Sequence, residues 1–293
     1  MNWLDILSEG ILLGGMYALF ALGLSLVFGI MRLVNLAHGD LIVLAAFLVL
    51  ATTMATGVPL AVATVLTILA MFVLGYVLQR AVLERVLGDD IMPPLLVTFG
   101  LSIVLQNGLL FVFGADSRRL QAGAFEASSL ALGQGLSVGL APLTGLIAAI
   151  IVIALLQMLF YRTSLGRAFR ATADNPQIAE LMGINPRNIY AVAVGISLAV
   201  SAIAAVSLGI RANFDPSIGP ARLLYAFEAV IIGGLGSLWG TLAGGIVLGL
   251  AQTIGARLNP EWQILAGHVA FLAVLTIRPH GLFPRGGHDV GRR

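Results

Sequence analysis

Long apolar segments, separated by short polar ones, make up most of the 293-residue chain. Apolar and polar residues do not alternate within these segments, so the pattern predicts helices rather than the strands of a barrel. A membrane-spanning helix needs roughly 20 apolar residues. Five segments reach about this length, and a sixth is shorter but nearly uncharged: Ile11–Met31, Val58–Leu78, Pro94–Phe113, Gly139–Phe160, Ile189–Ile210 and Leu41–Ala55.

The C-terminal third of the chain is harder to divide. Leu223–Leu235, Leu238–Ile254 and Trp262–Ile277 are apolar but short, and a glycine-rich break separates the first two. The whole pattern predicts one all-α polytopic membrane domain over residues 1–293 with nine transmembrane helices. The alternative is eight transmembrane helices, with Leu223–Ile254 as one bent span.

The composition agrees with a membrane protein, because only 10% of the residues are charged, against about 25% in a soluble domain. The chain has no cysteine, which excludes disulfides, thiolate metal sites and iron–sulfur clusters. All 16 basic residues are arginines, and they are dispersed between the apolar segments rather than gathered in a basic stripe. We therefore expect membrane lipid, and no nucleic acid, around the chain.

The absence of lysine also bears on energy coupling. The phosphate-binding loop of P-loop ATPases needs a Gly-Lys-Ser/Thr step, in which the lysine reaches the β- and γ-phosphates. This chain cannot contain such a step. If transport is driven by ATP, another chain must hydrolyse it.

The distribution of arginine predicts the orientation in the membrane, because cytoplasmic segments carry the excess of basic residues. With nine crossings and an outer N-terminus, most of the arginines fall on the cytoplasmic side. We therefore expect a periplasmic N-terminus and a cytoplasmic tail at 278–293. Ala115–Leu136, which carries little charge, fits an outer loop.

The polar segment Arg32–Asp40 lies between two apolar segments and reads R-L-V-N-L-A-H-G-D. Asn35 and Asp40 are residue types that cap helix starts, and Gly39 permits a break in a helix. Such a break can line a translocation path, because it offers free N–H groups and dipole ends to a substrate. The alternative is an ordinary cytoplasmic turn with a capping residue. His38 has no second histidine near it in sequence and predicts no metal site.

Tyr161–Asn188 is the longest predicted cytoplasmic loop, and it contains start and stop signals for two short helices. Ser164 can cap the first, and Asn175 followed by Pro176 is a typical start for the second. Gly183 supplies its end. The second helix would present an apolar face made of Ile178, Ala179, Leu181 and Met182. Such a face on a loop favours either docking onto a cytoplasmic protein or contact with the membrane surface.

Glu228 is the one acidic residue inside an apolar segment of the C-terminal third. Carboxylates inside the membrane are functional candidates. Arg222 lies close in sequence, however, and we expect the two to pair at the membrane interface. No serine or amide of the apolar segments has a partner that would form a nucleophile–base pair, so the sequence predicts no catalytic site.

Three stretches resemble the LivH-type permeases, the inner-membrane subunits of bacterial ATP-binding-cassette importers for branched-chain amino acids. They are Gly14–Asp40, Gly166–Asn185 (GRAFRATADNPQIAELMGIN) and Ala229–Gly245 (AVIIGGLGSLWGTLAGG). They follow the order of the family, and the resemblance spans nearly the whole chain.

The resemblance implies partners and roles. A second, LivM-like permease, two cytoplasmic ATPases that use ATP and magnesium, and a periplasmic substrate-binding protein would complete the importer. The chain itself would be a transport subunit without enzymatic activity, cofactor or metal. The family's N-x-A-H-G pattern falls on the segment with Asn35, His38, Gly39 and Asp40, the predicted substrate path. The loop at 161–188 would couple to the ATPases through Ser164, Gly166, Arg167, Arg170, Asp174, Asn175, Pro176, Glu180 and Gly183.

The resemblance is less specific for the substrate. Related permeases handle urea, short amides or other amino acids, so these are alternatives to branched-chain amino acids. A facilitator that works alone is a further alternative. The residues also leave open whether the chain pairs with itself or with a second permease.

Overall fold

The computed structural model describes residues 3–88, 90–131 and 137–283. The chain folds into α-helices joined by short loops, with one 3-10 turn at Leu83–Arg85 and one antiparallel strand pair, β1 (Ser129–Ala131) with β2 (Ser137–Gly139). The helices are α1 Trp3–Met31, α2 His38–Thr56, α3 Leu60–Ala81, α4 Met92–Phe113, α5 Ala124–Ala127, α6 Leu140–Arg162, α7 Ser164–Asp174, α8 Pro176–Leu181, α9 Pro186–Arg211, α10 Gly219–Gly233, α11 Leu238–Leu258 and α12 Trp262–Ile277. Residues 132–136 of the predicted outer loop and 284–293 of the predicted tail lie outside the described residues.

The apolar helices coincide with the predicted segments, which confirms an all-α polytopic protein. Seven of the described helices are long and apolar enough to cross a membrane, namely α1–α4, α6, α9 and α11. The other two apolar helices are shorter, with 15 residues in α10 and 16 in α12.

The alternative of one bent span over Leu223–Ile254 is wrong. Helices α10 and α11 lie side by side and antiparallel, since Gly233 packs on Gly240 and Gly244 packs on Ala229. The turn between them contains Gly234 and Gly236 of the predicted glycine-rich break, whereas Gly233 ends α10 and Gly240 lies in the first turn of α11. Because a glycine has no Cβ, the two backbones approach closely along this seam.

The helices run between two ends of the bundle. We call the end that carries Trp3 and the β1–β2 pair the hairpin end, and the opposite end, which carries α7 and α8, the α7 end. Helix α9 is antiparallel to α1, because the Ser197 hydroxyl donates to the Gly23 carbonyl at 2.8 Å and Arg211 Nη1 donates to the Leu12 carbonyl at 3.2 Å. The first described residue of the chain therefore lies at the hairpin end.

The last described residues lie at the α7 end. The backbone N–H groups of Leu282 and Phe283 donate to the carbonyls of Ile232 and Gly233 at 2.8 and 3.0 Å. Hydrogen bonds thus hold the chain after α12 against the end of α10. The described chain therefore begins and finishes at opposite ends of the bundle.

The first four helices and the last four are arranged alike but run in opposite directions. In the first half α3 packs on α9 through Gly75 and Gly195, and in the second half α11 packs on α1 through Gly249 and Gly10. Helices α2 and α10 take corresponding places, and both begin inside the bundle. This is the inverted arrangement that many transporters build around a central site.

The core lies around α1, which is buried along most of its length. Helices α3, α4, α6 and α12 lie outside it and expose apolar side chains, with Phe111 of α4 being 92% exposed. Apolar outer faces are expected of helices that meet lipid or another membrane subunit.

Candidate functional site

Two broken helices meet in the interior of the bundle. After α1 the chain turns back, so that α2 begins at His38 beside Phe20 and Gly23, well before the end of α1. After α9 the chain likewise turns inward before α10 begins at Gly219. Gly219 lies directly against Gly39, where a Cβ on either glycine would overlap the other segment. The N-terminal dipole ends of α2 and α10 therefore lie at the same depth.

The predicted path residues lie at this junction. The Asp40 carboxylate is buried, and its Oδ2 accepts a hydrogen bond of 2.5 Å from the Ser102 hydroxyl of α4. Gln106 Nε2 in turn donates to the Ser102 oxygen at 3.1 Å. Asp40 Oδ1 has no hydrogen-bond partner within the described part of the chain. The junction therefore holds a carboxylate oxygen that is buried and unpaired.

Asn35 and His38 shape the turn before α2. Asn35 Oδ1 accepts from the Ala37 N–H at 3.0 Å, and His38 Nε2 lies 2.9 Å from the Phe20 carbonyl. A carbonyl only accepts hydrogen bonds, so His38 Nε2 carries the proton in this contact. The expectation that Asp40 caps a helix start is wrong, because Asp40 bonds Ser102 and the N-cap of α2 is Ala37 without a side-chain cap.

Glu228 also differs from its predicted place. Its carboxylate is buried between helices, and Oε1 lies 2.5 Å from Nδ1 of His268 on α12. No ion pair forms with Arg222 among the residues that the structure describes. Each half thus holds one buried carboxylate whose partner lies on the fourth helix of that half, Ser102 for Asp40 and His268 for Glu228.

The loop at 161–188 folds into α7 and α8. The N-cap of α7 is Thr163, whose hydroxyl accepts from the Gly166 N–H at 3.0 Å, and not Ser164, which is the first residue of the helix. Asn175 caps α8 as predicted, with its side chain accepting from the Ile178 N–H at 3.0 Å. Gly183 follows α8 with a φ of +83°, the left-handed conformation that ends helices.

Two of the predicted coupling residues attach α7 to α6. Gly166 lies against the carbonyls of Leu159 and Phe160, where a Cβ would overlap them. The Arg170 guanidinium donates to the Phe160 carbonyl and lies 5.3 Å from the centre of the Tyr161 ring. The remaining predicted residues are exposed at the α7 end: Ser164, Arg167, Asp174, Asn175, Pro176, Glu180 and Gly183.

Helix α8 presents apolar side chains to the outside. Ile178 is 59% exposed, Leu181 86% and Met182 77%, whereas Ala179 is buried against the bundle. Only Ala179 of the predicted apolar face therefore packs within the chain. The other three side chains form an uncovered apolar surface, which we call the α8 surface.

A polar cavity at the hairpin end was not predicted from the sequence. It has a volume of about 760 Å³ and lies between α1, α9, α10, α11 and α12. Its polar floor includes Tyr17, whose hydroxyl donates to Gln252 Oε1 at 2.6 Å. Arg211 and Arg222 line it as well. Nothing in the hydropathy pattern of the sequence indicated that these two arginines converge.

The described residues contain no group of three or more histidine, aspartate or glutamate side chains that could hold a metal ion.

Comparison with known proteins connects this architecture with transport. The family described as "Branched-chain amino acid transport system / permease component" matches residues 6–275. The branched-chain amino acid permease protein BraD of Pseudomonas aeruginosa is 30% identical over 97% of this chain and 96% of its own length. LivH of Escherichia coli K12 is 29% identical over the same shares. LivM of the same organism is 27% identical over 42% of this chain and 29% of its own length.

Proposed function

We propose that this chain, which belongs to the family of branched-chain amino acid transport permeases, is a transmembrane subunit of an ATP-driven importer for branched-chain amino acids. The observation that carries the proposal is the α8 surface. Ile178, Leu181 and Met182 are exposed on a short helix that is fixed to one end of a membrane bundle. The chain lacks lysine and so cannot build a P-loop. An ATPase on a separate chain is the partner that these two facts call for.

The α8 surface would dock onto a cytoplasmic ATPase. Exposed apolar side chains rimmed by polar ones, here Asn175 and Glu180, are typical of protein interaction sites. Arg170 and Gly166 join α7 firmly to α6, so a displacement of α8 would be transmitted through α7 to the helix bundle. In this proposal the partner ATPases bind ATP and magnesium, and the movement switches the path by a rigid-body change.

We propose nine crossings in the inner membrane, with the α7 end in the cytoplasm. The end-to-end runs of the described helices support an odd number of crossings, since the chain begins and finishes at opposite ends. The arginines of the α7 end, which include Arg162, Arg167 and Arg187, support its cytoplasmic side. A tag at Met1 that reacts with a membrane-impermeant reagent only in broken cells would contradict this orientation.

A second permease subunit would complete the membrane part. LivH and LivM of Escherichia coli are both named as permease proteins of high-affinity branched-chain amino acid transport, and both are similar to this chain. The apolar outer face of α4 offers area for such a contact. A periplasmic binding protein would deliver the substrate at the hairpin end.

The junction of α2 and α10 would form part of the substrate path. Asn35, His38, Gly39 and Asp40 lie where two helix N-termini and an unpaired carboxylate oxygen meet. Sites of this kind, at the interface of inverted halves, hold substrates in other transporters.

Co-purification and transport test the proposal together. The chain is expressed with the products of its neighbouring genes, purified through a tag on this chain and reconstituted in liposomes. We expect ATPase subunits to co-purify, and ATP-dependent uptake of leucine in the presence of the binding protein. Uptake by the chain alone, without ATP, would identify a facilitator instead. Uptake of urea or short amides in place of leucine would assign the alternative substrates.

A further inference from the structure

The cavity at the hairpin end is strongly cationic. Arg211, Arg222 and Arg257 line it, and Glu9 is the acidic residue among its lining side chains. Glu9 is exposed, whereas Tyr17 is 4% and Gln252 1% exposed. The cavity thus combines a buried polar floor with an excess of positive charge.

The two inner arginines make no direct ion pair with a carboxylate in the described part of the chain. Among the described residues neither Arg211 nor Arg222 forms an ion pair, although Arg211 interacts electrostatically with Glu9 and Arg222 with Asp215, both beyond ion-pair distance. Over the ranges that the structure describes, Arg222 Nε is buried and lacks a hydrogen-bond acceptor, and Gln252 Nε2 is a second buried donor without one. Buried donors are costly to leave unpaired, and a half-buried guanidinium whose nearest carboxylates lie beyond ion-pair distance adds to that cost. Donors in this state fit an anionic ligand with two acceptor oxygens.

The walls of the cavity are apolar. Leu13, Met16 and Ile264 line it beside the arginines, together with the ring of Tyr225. The volume of about 760 Å³ lies within the range of small-molecule sites, about 300–1,000 Å³. A ligand that carries a carboxylate at one end and an aliphatic group at the other matches both parts.

We propose that this cavity binds the α-carboxylate of the transported amino acid, with Arg222 as the main contact and Arg211 beside it. The inference rests on the proposed function and names the group that would be recognised at the periplasmic entrance. The aliphatic side chain of the amino acid would lie against Leu13, Met16 and Ile264. An acidic side chain of a docked binding protein could supply the same carboxylate, but the buried floor at Tyr17 and Gln252 favours a small free ligand.

A single introduced thiol can report on occupancy, because the chain has no cysteine. Ala256 lines the cavity, and the variant Ala256→Cys is reconstituted in phosphatidylcholine nanodiscs with its partner subunits. The rate at which an anionic thiosulfonate reagent labels this chain is measured from the mass that the label adds. We expect L-leucine to slow the labelling, and L-leucinamide, which lacks the carboxylate, to leave it unchanged.

Arginine variants in the same background identify the contact. Arg222→Gln is expected to raise the half-protecting concentration of leucine about tenfold or more, the effect of losing a hydrogen-bonded charge. Arg222→Lys keeps the charge and controls for effects of the substitution on folding. The elution of the complex in size-exclusion chromatography checks that this variant is folded. Arg118→Gln removes a partly exposed arginine that pairs with Asp116 at the same end, outside the cavity lining, and should leave the half-protecting concentration unchanged.

Several results would overturn the inference. One is equal protection by leucine and leucinamide, another is an unchanged half-protecting concentration in Arg222→Gln, and a third is no protection by leucine at all. Protection of the thiol by the ligand-free binding protein alone would identify the cavity as a contact site for that protein. Protection only in nanodiscs that contain phosphatidylglycerol would identify it as a lipid-binding site. ATP-driven leucine uptake by the same complex separates the two proposals. Uptake without protection of the thiol would contradict the carboxylate site but not the importer. Absence of both uptake and co-purified ATPase subunits would contradict the importer itself.

Discussion

Asp40 and Ser102, which are 62 residues apart in the chain, lie 2.5 Å apart between carboxylate and hydroxyl oxygens. The contact joins the first turn of α2 to the middle of α4. Helix α4 exposes most of its surface and packs against little else in the described chain. This hydrogen bond therefore fixes an outer helix to the interior junction.

Removal of the Ser102 hydroxyl should destabilise the protein. In Ser102→Ala the Asp40 carboxylate loses its donor while remaining buried, at a cost of about 1–3 kcal/mol. The measurement is the midpoint of thermal unfolding in detergent. Asn107→Ala on the same helix is the control, because Asn107 is exposed and bonds only the Ile103 carbonyl of its own helix. Equal midpoints for the two variants would show that the Asp40–Ser102 contact contributes nothing to stability.

A methyl group at Gly39 should be poorly tolerated. The Cβ of Gly39→Ala would overlap the Gly219 carbonyl and lie 2.9 Å from the Leu223 nitrogen, so backbone must move. We expect a loss of about 1–3 kcal/mol, as for other overpacked sites, together with reduced uptake. Gly100→Ala on α4 is the matched control, since its Cβ meets nothing within 4 Å. It should be neutral or slightly stabilising, because alanine favours a helix over glycine. The same loss in both variants would refute the close contact.

Much of the fold followed from hydropathy because each apolar helix is one long segment of sequence. The start and stop signals of α8 could also be recognised in the sequence, since Asn175, Pro176 and Gly183 act through local backbone geometry. The N-cap of α7 was misassigned because Thr163 and Ser164 are adjacent hydroxyl residues with the same capping chemistry. Local rules do not separate such neighbours.

The relationships between distant segments could not be predicted. Arg211 and Arg222 share one cavity because the chain turns inward between α9 and α10, and hydropathy gives no sign of that turn. The pairing of Glu228 with His268 likewise depends on the packing of α10 against α12, whereas Arg222 was merely near in sequence. The inverted halves also left no repeat that could be read in the residues. Their likeness lies in helix direction and contacts rather than in side-chain identity.

The Glu228–His268 pair should be sensitive to loss of one partner. His268→Leu leaves the buried carboxylate without its hydrogen bond, and we expect a loss of about 2–3 kcal/mol. His268→Gln retains a donor and should lose less. The double variant Glu228→Gln/His268→Leu removes the charge as well and should recover part of the stability, as measured by thermal unfolding. Additive losses in the double variant would mean that the two side chains are not coupled.

Polar substitutions on the α8 surface should uncouple the importer without unfolding it. Leu181→Ser removes a side chain that is 86% exposed, so elution and thermal midpoint should be unchanged. Burial of a leucine contributes about 1.5–3 kcal/mol, and ATPase co-purification and uptake should fall about tenfold or more. Leu130→Ser changes an exposed leucine at the hairpin end and is the control. Full co-purification with Leu181→Ser would remove α8 as the docking element.

Leu181 is a sharper probe than other residues of the loop. Arg170 holds α7 against α6, so its substitution would disturb the fold as well as any docking. Gly183 has a φ of +83°, which proline cannot adopt. A proline there would therefore break the turn whatever the partner. Neither variant separates docking from folding as cleanly as Leu181→Ser does.

Because Gly39 contacts Gly219, helices α2 and α10 cannot move toward each other independently. A Cβ on Gly39 would overlap the Gly219 carbonyl, so the two segments are in close backbone contact at this point. A displacement of α10 toward the hairpin end would therefore push on α2, and a displacement in the other direction would separate the starts of the two helices. In the proposed importer, a displacement that reaches α10 at the α7 end would thus pass through the Gly39–Gly219 contact to α2, which runs toward the hairpin end.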